Sequence, residues 1–370
     1  MLKPVDFLVI IFYVTAGWHI FWVTLKSIVL LLRDRKGNQN LPHPVSIIVC
    51  ARNEEKNLKF LLPRLLNQDH PDYEVIIVLD RCFDESLAYL KSLEPSHPQL
   101  RTLIVDYVPD HFHPKKFGLT LGIKGAKKEW VLLTDADCWP ASANWAQIFS
   151  GHFLQNVDFV LGYSPYTASA GFLNAFIQYE TFNTAFDYFS QAAMGFPYMG
   201  VGRNLAFRKD VFLKANGYSP FQNTTGGDDD LFVQQHAKGS NTALVINPEA
   251  MVYTAPKKSW KAYLQQKKRH FSVGKYYRPR IQLRHIIKVN MHLGLWVSFF
   301  ILVAVNYNLL WISIGMIGIL LLKGLFFWRS AQKLGHGYMY WITPILDLSY
   351  AFFIPAVGSI SFFKKNIKWK

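Results

Sequence analysis

Cysteine is scarce in this chain. Its 370 residues hold three, Cys50, Cys82 and Cys138, with no C-x-x-C spacing. Each borders an apolar run that reads as a strand. That argues against a disulfide framework and a structural zinc site, and for reduced thiols in a cytosolic domain. Internal repeats and low-complexity tracts are absent. So are the basic repeats and zinc-ligand patterns of nucleic-acid binders, despite a formal net charge of +15. Acids are few, 25 Asp and Glu against 40 Lys and Arg, so the places where they bunch stand out.

Apolar surface is in excess. Hydrophobic residues make up 51% of the chain and aromatics 16%, and they are clustered. Residues 5–32 are nearly all apolar, interrupted by His19 and Lys26. That run can cross roughly 30 Å of hydrocarbon with Lys26 snorkelling to the surface. It is longer than a signal-peptide core, so a retained anchor is expected. Residues 289–305 and 309–327 read as a helical pair, and residues 338–363 as a third stretch broken by Pro344, Asp347, Pro355 and Gly358. Arg33, Arg35 and Lys36 follow the first run, and a basic segment, residues 257–288, precedes the second. This is the charge placement of an integral protein of a plasma or inner membrane, its middle part cytoplasmic and facing anionic lipid. Three clean C-terminal crossings would put the basic tail, residues 364–370, outside. The last stretch is therefore expected not to cross once.

Between the apolar ends, strand patterns at residues 45–50, 73–79, 100–105 and 130–134 alternate with helical patterns at 58–66, 85–93 and 116–127. Such alternation predicts a mostly parallel α/β sheet with helices on both faces. Sheets of this kind bind ligands at the carboxyl ends of their strands, where this chain has Arg52, Asn53, Asp80, Asp135 and Asp137. Residues 157–162 read as a further strand. Residues 170–193 form an aromatic helical segment, either packed on the sheet or lying at the membrane surface beside a lipid acceptor. The expected division is an anchor at 1–36, with a polar linker at 37–44 opening a cytosolic domain at 37–284, and a membrane region at 285–370.

Three motifs carry chemistry. Asp135-Ala136-Asp137 closes a buried strand. Alternation puts both carboxylates on one face, where they can engage a hard cation such as Mg²⁺ or Mn²⁺ and a ribose hydroxyl. A turn or helix cap is the plain alternative. Gly226-Gly227-Asp228-Asp229-Asp230 crowds three carboxylates behind two glycines. Crowding raises some carboxyl pKa values and suits a general base, although an acidic helix start would look the same. Gln266-x-x-Arg269-His270 can place a cation on a departing diphosphate, or belong to a juxtamembrane basic patch. Lys115-Lys116 opens the helix before the fourth strand, which suits an anionic ligand.

In this order the motifs resemble those of the family 2 glycosyltransferases of GT-A fold, over residues 44–271. Ala-Arg-Asn-Glu-Glu at 51–55, Asp80, Lys116, the D-x-D, the acidic triplet and the Q-x-x-R segment recur in family order. Pro197 to Asn204 resembles the family's acceptor segment. The resemblance implies donor contacts from Ala51, Asn53, Glu54, Asp80, Lys116, Asp135, Gln266, Arg269 and His270. It implies a metal on Asp137, acceptor contacts from Gly202, Arg203 and Asn204, and catalysis by Asp228 with Asp229 and Asp230 beside it. Asp229 rivals Asp228 as the base. Three departures stand out: Gly227 for the usual Glu, His270 for the usual Trp, and Arg81-Cys82-Phe83 after Asp80. The expectation is a membrane-anchored, inverting enzyme that moves a sugar from a UDP-linked donor to a lipid or lipid-linked saccharide. The rival readings are a processive polysaccharide synthase and a non-catalytic membrane scaffold or transporter.

Overall fold

The computed structural model describes residues 3–33, 42–337 and 340–363. The linker and the basic tail discussed above lie wholly or mostly outside them. In chain order the elements are α1 (Pro4–Leu32), β1 (Val45–Ala51), α2 (Glu55–Leu66), β2 (Tyr73–Asp80), α3 (Ser86–Leu93), β3 (Leu100–Val105), α4 (Pro114–Gly125), β4 (Trp130–Asp135) and β5 (Cys138–Pro140). There follow α5 (Trp145–Ser150), β6 (Phe159–Leu161), α6 (Phe172–Ala193), β7 (Leu205–Arg208), α7 (Lys209–Lys214), α8 (Asp230–His236), β8 (Thr242–Leu244) and β9 (Val252–Thr254). The last four are α9 (Trp260–Ser272), α10 (Pro279–Ala304), α11 (Leu309–Leu334) and α12 (Thr343–Phe363).

Two compact units result. One comprises residues 34–167 and 191–256; the other comprises residues 1–33, 168–190 and 257–370.

The first unit is built on a seven-stranded sheet of order β3-β2-β1-β4-β7-β6-β8. β1 to β4 pair in parallel, and β7 joins β4 antiparallel. The central strands are mostly apolar and buried on both faces, as parallel sheets require, with polar residues confined mainly to their ends. α4 begins at Pro114, where a proline without an N–H fits the first helical turn. It lies close to the sheet because its glycines leave room. A Cβ on Gly118 would sit 2.7 Å from the Cys50 Sγ, and one on Gly122 2.7 Å from the Ile48 Cγ2. β5 and β9 form a separate two-stranded sheet. These short strands, with β7 and β8, have too few residues to show a period, and sequence reasoning passed over them.

The second unit is helical. Four helices, Pro4–Leu32, Pro279–Ala304, Leu309–Leu334 and residues 343–361 of α12, are long and apolar enough to cross a membrane. α1 packs on α10 and α11, with Phe12, Ala16, Leu295, Met316 and Ala351 in one apolar cluster. The aromatic face of α6 packs within this unit. Phe176 meets Trp260, Tyr263 and Phe353, while Phe182 and Phe186 meet Phe327. α6 and α9 thus cluster with the terminal helices, although sequence reasoning counted them in the cytosolic domain.

Candidate active site

β1, β2 and β4 stand side by side and run the same way, so their carboxyl ends deliver Ala51, Asp80 and Asp135 to one edge of the sheet. Cys50 is in register with Asp135. The first turn of α4 brings Lys115 to that edge. Its ammonium lies 2.9 Å from the Asp135 Oδ1 and 3.1 Å from the Asp228 Oδ2. One lysine therefore joins the D-x-D to the acidic triplet, two motifs far apart in sequence. Burial alone would lower the Lys115 pKa, but Asp135, Asp228 and Asp229 hold it well above the usual lysine range.

The triplet divides its labour. Burial pushes Asp228 up, but Lys115 and Lys116 more than reverse this, and its carboxyl lies below the ordinary range. Burial and then repulsion by Asp228 hold Asp229 above it. Asp229 also anchors the backbone, accepting the Gly202 N–H at 2.7 Å and the Asp230 N–H at 2.8 Å as the cap of α8. Asp230 is the first residue of that helix. The crowding expected from sequence thus lowers the pKa of one carboxylate and raises that of its neighbour.

β4 ends at Asp135, and Asp137 lies in the turn beyond it, exposed. Strand alternation therefore does not place the pair, yet the turn keeps them close. Ligand atoms of Asp135, Asp137 and Cys138 all lie within 4.8 Å of one another. Burial, then Asp135 and Asp137, push the Cys138 thiol well above its usual range, so it remains a neutral thiol. Glu54 faces the same acids. Burial lifts its pKa, the Asn57 side chain opposes that, and Asp137 adds to it.

The loops after β1 and β2 are stitched together. Asn53, at φ +55°, accepts the Phe83 N–H at 3.0 Å, and the Glu55 N–H donates to Asp84 at 3.0 Å. Asp84 also accepts the Ser86 N–H at 3.2 Å, at the start of α3. Asp80 is buried and grips the next residue: the Arg81 guanidinium donates to its two oxygens at 2.7 and 3.2 Å.

Two expectations are corrected. Lys116 is not the lysine among the acids. Its side chain is buried and donates to the carbonyls of Phe221 and Thr224 at 2.7 and 2.8 Å, pinning the loop before the triplet. Burial pushes it down to about 8. Adjacent helix residues point about 100° apart, so of the lysine pair it is Lys115 whose ammonium reaches Asp135 and Asp228. Asn204 is not at an acceptor surface. It is 0% exposed and holds the core together, donating to the carbonyls of Tyr163 and Ala250 at 2.7 and 3.0 Å and accepting the Trp145 Nε1–H at 2.9 Å. Arg203 donates to Ser164 at 2.6 Å and lies over the Tyr166 ring. Of the three, Gly202 alone meets the triplet directly.

Tyr218 went unnoticed in the sequence, where Cys50 stood out only as a reduced thiol beside a strand. Tyr218 is buried, and its hydroxyl has no hydrogen-bond partner among the described residues. Burial and then Asp228 hold its pKa well above the phenol range. Cys50 is half-buried, and burial and then Asp80 push its thiol up to about 12. Gln266, Arg269 and His270 lie on α9, in the other unit.

The chain belongs to glycosyltransferase family 2: the family model described as Glycosyltransferase like family 2 matches residues 42–272, more than half of it. It is an enzyme of that class, a GT-A glycosyltransferase using nucleotide-sugar donors. No curated protein matches it. Among solved structures it is similar to the mannosyltransferase PcManGT from Pyrobaculum calidifontis in complex with GDP-Man and Mn²⁺. That match has 16% identity and a TM-score of 0.57 and covers 89% of this chain and 98% of the other. It is also similar to a fragment of TarS from S. aureus, at 16% identity and a TM-score of 0.43, covering 86% of this chain and 89% of the other. At 16% identity the likeness to PcManGT is one of fold.

Proposed function

We propose that this protein is an inverting, metal-assisted glycosyltransferase anchored in a membrane by its terminal helices. It transfers a sugar from a nucleotide-diphosphate donor to a hydroxyl of a lipid or lipid-linked saccharide, with its catalytic unit on the cytoplasmic side. The observation that carries the reading is the bridge from Asp135 through Lys115 to Asp228. It puts a donor-type carboxylate and a base candidate on one cation.

Asp137 is the exposed carboxylate of the D-x-D, while Asp135 is engaged by Lys115. Asp137 would therefore hold Mg²⁺ or Mn²⁺, with Asp135 close by. Both ions prefer oxygen ligands and share them with substrate phosphates, so the neutral Cys138 thiol is not expected among them. When bound, the ion neutralises charge on the diphosphate. Asp135 lies toward the ribose and Asp80 toward the base.

Asp228 removes the acceptor proton. The acceptor oxygen attacks the anomeric carbon as the bond to the diphosphate oxygen breaks, so configuration inverts and a nucleoside diphosphate leaves. Asp229 holds the loop of Gly202 against α8 and keeps its neighbour in place. A base held below the usual carboxylate range is ionised at neutral pH, and the same depression lessens its pull on the acceptor proton.

A panel of radiolabelled sugar nucleotides incubated with native membranes, followed by lipid extraction, tests donor and acceptor class together. Asp228→Asn is expected to lower transfer by at least about 10²-fold while nucleotide binding persists. Asp137→Ala is expected to weaken metal-dependent nucleotide binding. Full activity of Asp228→Asn would remove the base assignment, and a ladder of chain-extended products would favour a processive synthase.

A further inference from the structure

Three buried carboxylates organise the helical unit, and they are matched differently. Glu180 pairs with Lys267 and accepts the Tyr263 hydroxyl at 3.2 Å. Asp347 pairs with Lys323 and takes His292, the Trp296 indole and the Tyr179 hydroxyl as its other partners. Asp187 instead draws in three cationic side chains. Lys26 pairs with it, the Arg284 Nη2 lies at 3.2 Å and the Lys288 Nζ at 3.4 Å. Lys26 and Lys288 already outnumber this one carboxylate before Arg284 is counted. Concentrating like charge in a low-dielectric setting is costly, and a bound anion relieves it.

The place matters as much as the charge. Lys26 stands six residues before the end of α1, and Arg284 five residues after the start of α10. At 1.5 Å per residue these are roughly 8–9 Å inside the helix ends. Those are the ends through which the chain leaves α1 and enters α10, at headgroup depth for a spanning helix. The Asp187 and Lys26 side chains are 2% and 9% exposed, while those of Arg284 and Lys288 are 28% and 23% exposed. The carboxylate thus forms the floor, and the two cations of α10 face outward, accessible to a ligand.

We propose that Lys26, Arg284 and Lys288, gathered on Asp187, form a binding site for the phosphate of a membrane lipid. A guanidinium and two ammonium groups match phosphate oxygens, the fork by paired hydrogen bonds and the lysines as point charges. The proposal rests on the membrane placement of the helices stated above.

The test uses the full-length chain purified in neutral detergent and analysed by native mass spectrometry with phosphatidylglycerol, dioleoylglycerol or inorganic phosphate. Phosphatidylglycerol is expected to be retained, and the uncharged lipid and free phosphate are not. Arg284→Gln and Lys288→Gln should each weaken retention about fivefold, the worth of one interfacial cation. Asp187→Asn changes sign: removing the competing carboxylate should strengthen binding. A purely structural ion cluster predicts the opposite, because each of the three substitutions would then only loosen the helices. Unchanged retention by a variant carrying both Arg284→Gln and Lys288→Gln, weakened retention by Asp187→Asn, or free phosphate binding as tightly as the lipid would each overturn the site. Release of the chain from membranes by alkaline carbonate would overturn the membrane reading. Carbonate-resistant chain that does not discriminate the anionic lipid overturns this proposal alone.

Discussion

Lys115 does what no carboxylate in the site can do alone: it places a positive charge between Asp135 and Asp228. After burial it is the largest influence on Asp228, and its effect is downward. Lys115→Met should therefore raise the Asp228 pKa, so the acidic limb of the kcat/KM profile moves to higher pH and activity falls more at pH 6 than at pH 8. An unshifted limb would mean that Asp228 does not titrate in that profile. At Asn204 the prediction concerns stability. Asn204→Ala leaves the Trp145 indole and two carbonyls without the partner they share. A loss of about 3 kcal/mol is expected, read as a lowered denaturation midpoint. An acceptor contact would instead raise KM in a fully stable protein. Both residues sat inside motifs singled out in the sequence, yet their roles depend on side-chain direction. A one-residue choice between Lys115 and Lys116 is a rotation about a helix, and sequence spacing carries no zero for that rotation.

At the level of elements, the sheet is held at both ends. Its carboxyl ends carry the site, and its amino ends are tied by Glu74 of β2. That buried carboxylate accepts Ser46 of β1 at 2.7 Å, Arg101 of β3 at 2.8 Å and the Lys127 N–H beyond α4 at 2.5 Å. Burial pushes Glu74 up, but Arg101, the Lys127 N–H and Ser46 more than reverse it, leaving its pKa below the ordinary value of 4.5. A depressed carboxyl pKa contributes stability that is complete above the unfolded pKa and is lost as pH falls through the folded one. Glu74→Gln should cost about 2 kcal/mol near neutrality. The gap in Tm between wild type and variant should narrow as pH drops below about 5. A gap independent of pH would contradict the ion-paired role. The parallel strands and their helices were legible in the sequence because long buried runs and helical periods repeat over many residues. β5, β7, β8 and β9 were not, since three or four residues carry too little pattern.

For the whole molecule, the apolar runs and the basic residues beside them act together. Four helices are long and apolar enough to span, and the chain is expected to stay in the membrane pellet after an alkaline carbonate wash. Recovery of the full-length chain in the supernatant would contradict that. The grouping of α6 and α9 with the terminal helices could not be read from the order of motifs. Their aromatic and basic patterns fit a sheet-packing helix and a membrane-facing one equally well. Contacts such as Phe186 with Phe327, between residues distant in sequence, decide the matter.

The amino-acid sequence alone determined the class of fold, the apolar termini and the acidic motifs, because periodicity and the ends of buried strands are local properties of the chain. Tertiary structure alone decided which lysine meets the acids, that Asn204 belongs to the core, and that one buried aspartate gathers cations from two helices. These are matters of direction and of distance between remote segments. A linear pattern records which groups are present, and only the packed chain fixes where they point.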